Sequence, residues 1–199
     1  MSDVPTTWDS ATALIVVDVQ NDFADPEGRL YVPGGDEVIP AINDAVRAAD
    51  EAQATIVYTQ DWPPEDTPHF EKDGGVWPVH CIEGTWGAAL HPDLVVIPGP
   101  VIRKGVDGED GYSAFTVRDP ETGEEDPTDL DEVLRERGIE RVVIVGLAQD
   151  VCVKASAHDA VERGYDTVVL RHATAPVERE PGDGERANAE MIEAGVTLA

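Results

Sequence analysis

The segment Arg141-Val142-Val143-Ile144-Val145-Gly146-Leu147 constrains this chain more than any other. Its apolar residues run without polar alternation and are mostly β-branched, so both faces must be buried. That is how a central strand of a parallel sheet reads. The run continues into Ala148-Gln149-Asp150-Val151-Cys152 and then into a helical pattern up to Gly164. Cys152 therefore falls where a strand hands over to a helix, the place where open α/β sheets bind ligands. The unpaired N–H groups and dipole of a helix start stabilise a thiolate, so the position predicts a lowered thiol pKa and a nucleophile. Taken alone, it also suits a small buried core thiol.

The rest of the chain alternates in the same way. Residues 13–19 form an apolar run ending in Asp18-Val19, which reads as a first central strand. Pro33-Gly34-Gly35-Asp36 reads as a turn with a helix cap, and Val38, Ile42, Ala45, Val46 and Ala49 follow on one helical face. Strands are predicted at 54–59, 94–97, 101–103, 167–170 and 196–198. Helices are predicted at 130–137, ending at Gly138, and at 185–194, closing at Gly195. Alternation of this kind predicts an α/β fold, a three-layer doubly wound (Rossmann-like) domain with a central, mainly parallel sheet. With 199 residues, no repeat and no linker, a single domain over 1–199 is expected. Residues 61–86 are long, aperiodic and rich in Pro, Gly, His and Trp, which predicts a functional loop. The acidic stretch 107–126 is compatible with either a lid or a solvated loop.

Charge narrows the partners. The chain holds 14 basic and 41 acidic residues, a net charge of −27, and its lysines are Lys72, Lys104 and Lys154. Nucleic acid and anionic membranes are excluded as partners by such a surface. The acids are spread along the chain, pointing to a halophilic protein with a solvated acidic shell rather than an acidic tail. A merely acidic protein is the simpler alternative. The first apolar stretch follows Asp9 and Ser10 without a basic flank, and no segment is long enough to span a membrane, so a cytoplasmic location is expected. A disulfide between Cys81 and Cys152 is disfavoured on the same ground. The sequence contains no GxxxxGK[ST], no GxGxxG after the first strand and no GxSxG elbow.

Asp18, Lys104 and Cys152 each stand at or just past a predicted strand end, so a parallel sheet can bring all three to one edge. A thiol needs a base, a carboxylate buried at a strand end can serve as one, and a nearby ammonium stabilises both anions. Singly, Asp18 also fits a solvated strand terminus and Lys104 a surface charge. In the long loop, Asp61, His69 and His80 offer one carboxylate and two imidazoles, a set that suits a divalent metal, Zn²⁺ or Fe²⁺. Their spacing is not a compact metal motif, and surface histidines among turn-forming prolines would read the same way.

The chain resembles the isochorismatase-like cysteine hydrolases, and within them is most similar to the nicotinamidases. The matching pieces are Asp18-Val19-Gln20-Asn21-Asp22-Phe23, Asp61-Trp62, Trp77-Pro78-Val79-His80-Cys81, Lys104-Gly105, Tyr112-Ser113-Ala114-Phe115 and Gly146-Leu147-Ala148-Gln149-Asp150-Val151-Cys152-Val153. The resemblance implies a small-molecule amide substrate, nicotinamide, hydrolysed to nicotinate and ammonia through a thioester in NAD salvage. It implies a triad of Asp18, Lys104 and Cys152, and an oxyanion hole from the amides of Ala148 and Cys152 beside a cis Leu147–Ala148 peptide. It further implies metal ligands at Asp61, His69 and His80, and a pyridine pocket lined by Phe23, Trp77 and Tyr112, aromatics that equally suit core packing. A homo-oligomer is among the states it leaves open. One position departs from the pattern: Pro63 stands where nicotinamidases usually carry a histidine ligand. Three ligands then remain, or Glu65 or Asp66 substitutes, or the metal is lost. His172 stands where relatives often have an acid and is given no role, and His91 and His158 read as structural or surface residues. The alternatives are a related hydrolase acting on another small amide or an isochorismate-like enol ether, and a non-catalytic binding protein on the same fold.

Overall fold

The structure is a computed structural model and describes residues 8–199. Six strands form the main sheet: β1 (Thr12–Val17), β2 (Thr55–Asp61), β3 (Val101–Lys104), β6 (Arg141–Leu147), β7 (Asp166–Ala175) and β8 (Thr197–Leu198). Their spatial order is β3-β2-β1-β6-β7-β8, and every pair is parallel. A second, two-stranded antiparallel sheet joins β4 (Thr116–Arg118) to β5 (Glu125–Pro127). The helices are the short α1 (Asn21–Ala24), α2 (Ile39–Glu51), α3 (Leu130–Glu136), α4 (Lys154–Glu162) and α5 (Asp183–Ala194).

Both faces of the sheet are covered, so strand residues alternate between two cores. Leu14 and Val16 of β1 join Ile42, Val46 and Ala49 of α2 on one side. Ala13, Ile15 and Val17 join Leu130 and Leu134 of α3, Ala157 and Ala160 of α4 and Met191 of α5 on the other. This two-sided burial explains the unbroken apolar runs of β1 and β6. The order of strands reverses between β1 and β6, and at such a reversal a crevice opens beyond the carboxyl ends of the strands. The chain after β1 and the chain after β6 both enter it.

Two local expectations are corrected. Residues 94–97 are not a strand. The Val95 and Ile97 N–H groups donate to Asn43 Oδ1 (2.7 Å) and Tyr58 Oη (3.0 Å), side-chain acceptors that take the place of a ladder. Asp36 does not cap α2, whose N-cap is Val38; its carboxylate accepts the Tyr31 hydroxyl instead.

Candidate active site

Asp18 follows β1 and takes a left-handed backbone conformation at φ 48°. Thr59, in β2, holds it there. The Asp18 N–H donates to Thr59 Oγ1 (3.1 Å), and that hydroxyl donates to Asp18 Oδ1 (2.6 Å). The second carboxylate oxygen accepts Lys104 Nζ at 2.6 Å, and both side chains are fully buried. Lys104 ends β3 and also donates to the Gly111 carbonyl at 2.7 Å. Gly111 is needed there, because a Cβ would lie 2.7 Å from Lys104 Cβ. Burial lowers the Lys104 pKa, but Asp18 and the Cys152 sulfur outweigh it, so the ammonium stays charged. Burial raises the Asp18 pKa, and Lys104 only partly reverses this.

Cys152 lies in a π-helical turn, Gln149–Val153, closed by the Val153 N–H on the Ala148 carbonyl at 3.1 Å. Turns of this type recur at functional sites. Cys152 is partly exposed, and the Asp18 carboxylate is close enough to act on its thiol. The expected lowering of its pKa does not occur. Burial pushes the thiol well above its ordinary value; Lys104 pulls it down, and Asp18 and Asp61 push it further up. At rest the sulfur is therefore a thiol beside a carboxylate. The Leu147–Ala148 peptide is cis. Cys81 is a second free thiol, buried and held well above its ordinary pKa by desolvation and by Asp61 and Asp22.

Asp61, the last residue of β2, meets His69 and His80 from the long loop. Among the described residues these three buried side chains form a group whose ligand atoms lie within 4.8 Å of one another. Gln20 fixes Asp61 by accepting its N–H (2.8 Å) and donating to its carbonyl (2.7 Å). His80 Nδ1 lies 2.7 Å from the Pro78 carbonyl, which can only accept, so this nitrogen carries a proton. His80 Nε2 then faces Asp61 Oδ2 at 3.1 Å. A carboxylate and an imidazole nitrogen at that separation need a cation between or beside them, a proton or a metal ion. The donor set and the tied outer nitrogens fit a metal. With a proton there instead, burial disfavours the His80 imidazolium, but Asp61 outweighs it and raises its pKa; Asp61 is lowered in turn by His80, Lys104 and His69 against its own burial. Glu65 and Asp66 are exposed and outside the group, and Asp66 pairs with Lys72 at 2.7 Å. Pro63 is buried and its carbonyl accepts the Glu83 N–H.

Cys152 and the Asp61, His69 and His80 group line one cavity of about 430 Å³, its mouth included, while Asp18 and Lys104 are fully buried outside its lining. Cys152 and Ala148 lie at one side and Asp61, His69 and His80 at another. Phe23, Trp77 and Tyr112 form aromatic walls, and the Trp77 indole N–H donates to Tyr112 Oη at 3.0 Å. Residues 12–198 match the isochorismatase domain. The chain belongs to the isochorismatase family. Among its relatives, a nicotinamidase of Acinetobacter baylyi is 39% identical, over 92% of this chain and 90% of that one. A pyrazinamidase of Pyrococcus horikoshii, solved in complex with zinc, superposes with a TM-score of 0.83 at 40% identity, covering 95% of this chain and 98% of that one. PnC1 from L. infantum, solved in complex with nicotinate, gives 0.87 at 38% identity, covering 98% and 95%.

Some of the site's residues were not singled out from the sequence. Leu30, Val32, Val151 and Val177, with Gly111, complete the cavity lining, and nothing in the type of these aliphatic residues distinguishes them from core. Thr59 had a signal: it stands two residues before Asp61 and so shares its strand face. Asp110, whose carboxylate contacts His69, was hidden in the acidic stretch. Outside the site, His172 is exposed, and buried His91 lies 3.7 Å from Asp25.

Proposed function

We propose that this chain hydrolyses nicotinamide to nicotinate and ammonia through a thioester on Cys152. The observation that carries the reading is the buried Asp18–Lys104 pair acting on Cys152, a residue that lines an aromatic-walled cavity. Asp18 accepts the thiol proton as the sulfur attacks the carboxamide carbon. The Lys104 ammonium offsets the thiolate charge while Asp18 is neutral. The amides of Ala148 and Cys152 hold the oxyanion, a contribution commonly worth about 3–4 kcal/mol. As the C–N bond breaks, Asp18 returns its proton to the departing nitrogen. A water then gives a proton to Asp18 and attacks the thioester, and nicotinate leaves as the proton returns to sulfur.

Phe23, Trp77 and Tyr112 hold the pyridine ring in this scheme. Asp61, His69 and His80 would hold a divalent ion, Zn²⁺ or Fe²⁺, with three protein ligands despite Pro63, and the ion would supply Lewis acidity to the substrate. The reading extends to a single domain over 1–199, to a salt-adapted cytoplasm and to pyridine nucleotide salvage. It is supported by the acidic composition and by the nicotinamidases among the relatives. Among the described residues, no helix is long and apolar enough to cross a membrane.

Rapid acid quench followed by mass spectrometry tests the chemistry. A nicotinoyl adduct confined to the peptide carrying Cys152 is expected, and Cys152→Ala is expected to lose both adduct and turnover while keeping its fold. Turnover in that variant would overturn the mechanism. A panel of nicotinamide, pyrazinamide and ureido amides tests the substrate, with the pyridine and pyrazine amides expected to give the highest kcat/KM.

A further inference from the structure

We infer that Asp110 is the positioning residue of the metal group: it fixes His69 in the tautomer and orientation in which the imidazole can bind a divalent ion. The inference rests on the metal reading above, and it assigns a role to a residue of the acidic stretch that follows β3. Asp110 Oδ1 lies 2.6 Å from His69 Nδ1, and the two side chains are only 17% and 8% exposed. A carboxylate accepts, so the proton sits on Nδ1 and the Nε2 lone pair is free. His80 is arranged the same way by a different acceptor, the Pro78 carbonyl at 2.7 Å. His80 thus turns Nε2 to Asp61 with Nδ1 tied outside the group, and with His69 Nδ1 on Asp110 the nitrogen left for an ion is Nε2. Acceptors of this kind orient ligating histidines and raise their basicity. Asp61 has its own support in the paired Gln20 hydrogen bonds.

Asp110 is itself held. Its N–H donates to the Arg118 carbonyl (2.7 Å), and its carbonyl accepts the Arg118 N–H (3.0 Å), which ties it to β4. The loop carrying His69 is fastened to the same segment by Thr67 Oγ1 on the Gly108 carbonyl at 2.8 Å. The residues after Asp110 are pinned in turn. Gly111 accepts Lys104, Tyr112 accepts Trp77, and Ser113 donates to Asp159 of α4 at 2.7 Å. The carboxylate therefore comes from a strap fixed on both sides. Among the described residues the group has three side chains, so misplacing one imidazole leaves an ion two protein ligands.

The test is competition between the intact chain and a chromogenic chelator for Zn²⁺, with visible spectra of the Co²⁺-loaded protein as a second readout. Asp110→Ala is expected to weaken Zn²⁺ binding by about 10–100-fold and to alter the cobalt bands. Asp110→Asn keeps an acceptor and loses the charge, so an intermediate loss with parent-like bands is expected. It also serves if the alanine variant fails to fold. Circular dichroism of the chelator-treated proteins separates unfolding from lost affinity. Affinities within twofold of the parent and unchanged cobalt spectra in both variants would overturn the proposal alone. A parent chain that takes up no Zn²⁺ would overturn the metal reading and the proposal with it.

Discussion

Lys104 is an ammonium with no exposure to solvent, and a charge so placed is tolerable only because Asp18 and the Gly111 carbonyl meet it. Removing one member leaves the other buried and unpaired, so Lys104→Met should cost about 3–5 kcal/mol of stability. Asp18→Asn combined with Lys104→Met should recover much of that loss, as urea midpoints would show; a neutral single variant would contradict the pairing. The second buried pair makes a pH prediction for chelator-treated protein. The folded-state pKa of Asp61 lies below its ordinary 3.8, so its contribution is present above that value and lost as pH falls through the folded value. The folded-state pKa of His80 lies above its ordinary 6.5, so its contribution is present below 6.5 and lost as pH rises through the folded value. The Tm gap between the parent and His80→Gln should be widest between these two limits and narrow above 6.5. A gap that widens above 6.5 would contradict it. At this scale the sequence was legible where a residue's type is chemically scarce, as for Cys152 or a lysine among so many acids. Asp110 was not, because an aspartate in an acidic stretch reads the same whether it is solvated or bonded to an imidazole 41 residues away.

The elements carry the site because β1, β2, β3 and β6 end along one edge of the sheet. Gly146, near the end of β6, shows how tight that edge is. Its φ is 110°, and a Cβ there would lie 2.1 Å from the Val17 carbonyl oxygen. Gly146→Ala should therefore force β6 away from β1 just before Asp18 and Cys152. A loss of more than about 1 kcal/mol is expected, with kcat falling alongside Tm. A variant with parent-like activity and melting would show that the edge tolerates the shift. The strands and helices of the main sheet were legible because burial on two faces leaves unbroken apolar runs and burial on one face leaves a helical stripe. Residues 94–97 have the apolar content of a strand, yet side chains of α2 and β2 satisfy their backbone. No local pattern reports that. The hairpin of β4 and β5 was missed for the opposite reason: it buries almost nothing, and its charged residues leave no period to read.

Across the whole molecule, the excess of acid makes a prediction about salt. A net charge of −27 repels itself, and salt screens that repulsion. The Tm should rise from dilute buffer to molar KCl, and a protein most stable without salt would remove the case for salt adaptation. The cavity, by contrast, is lined mainly by aromatic and aliphatic side chains, and its Asp61, His69 and His80 are paired, which suits a neutral amide. The first measurement is ammonia release from nicotinamide in molar KCl, with and without a strong chelator. Release is expected to be lost on chelation, restored by Zn²⁺ or Fe²⁺ and absent in Cys152→Ala. No ammonia from folded, metal-supplied protein would contradict it and move the substrate elsewhere in the family.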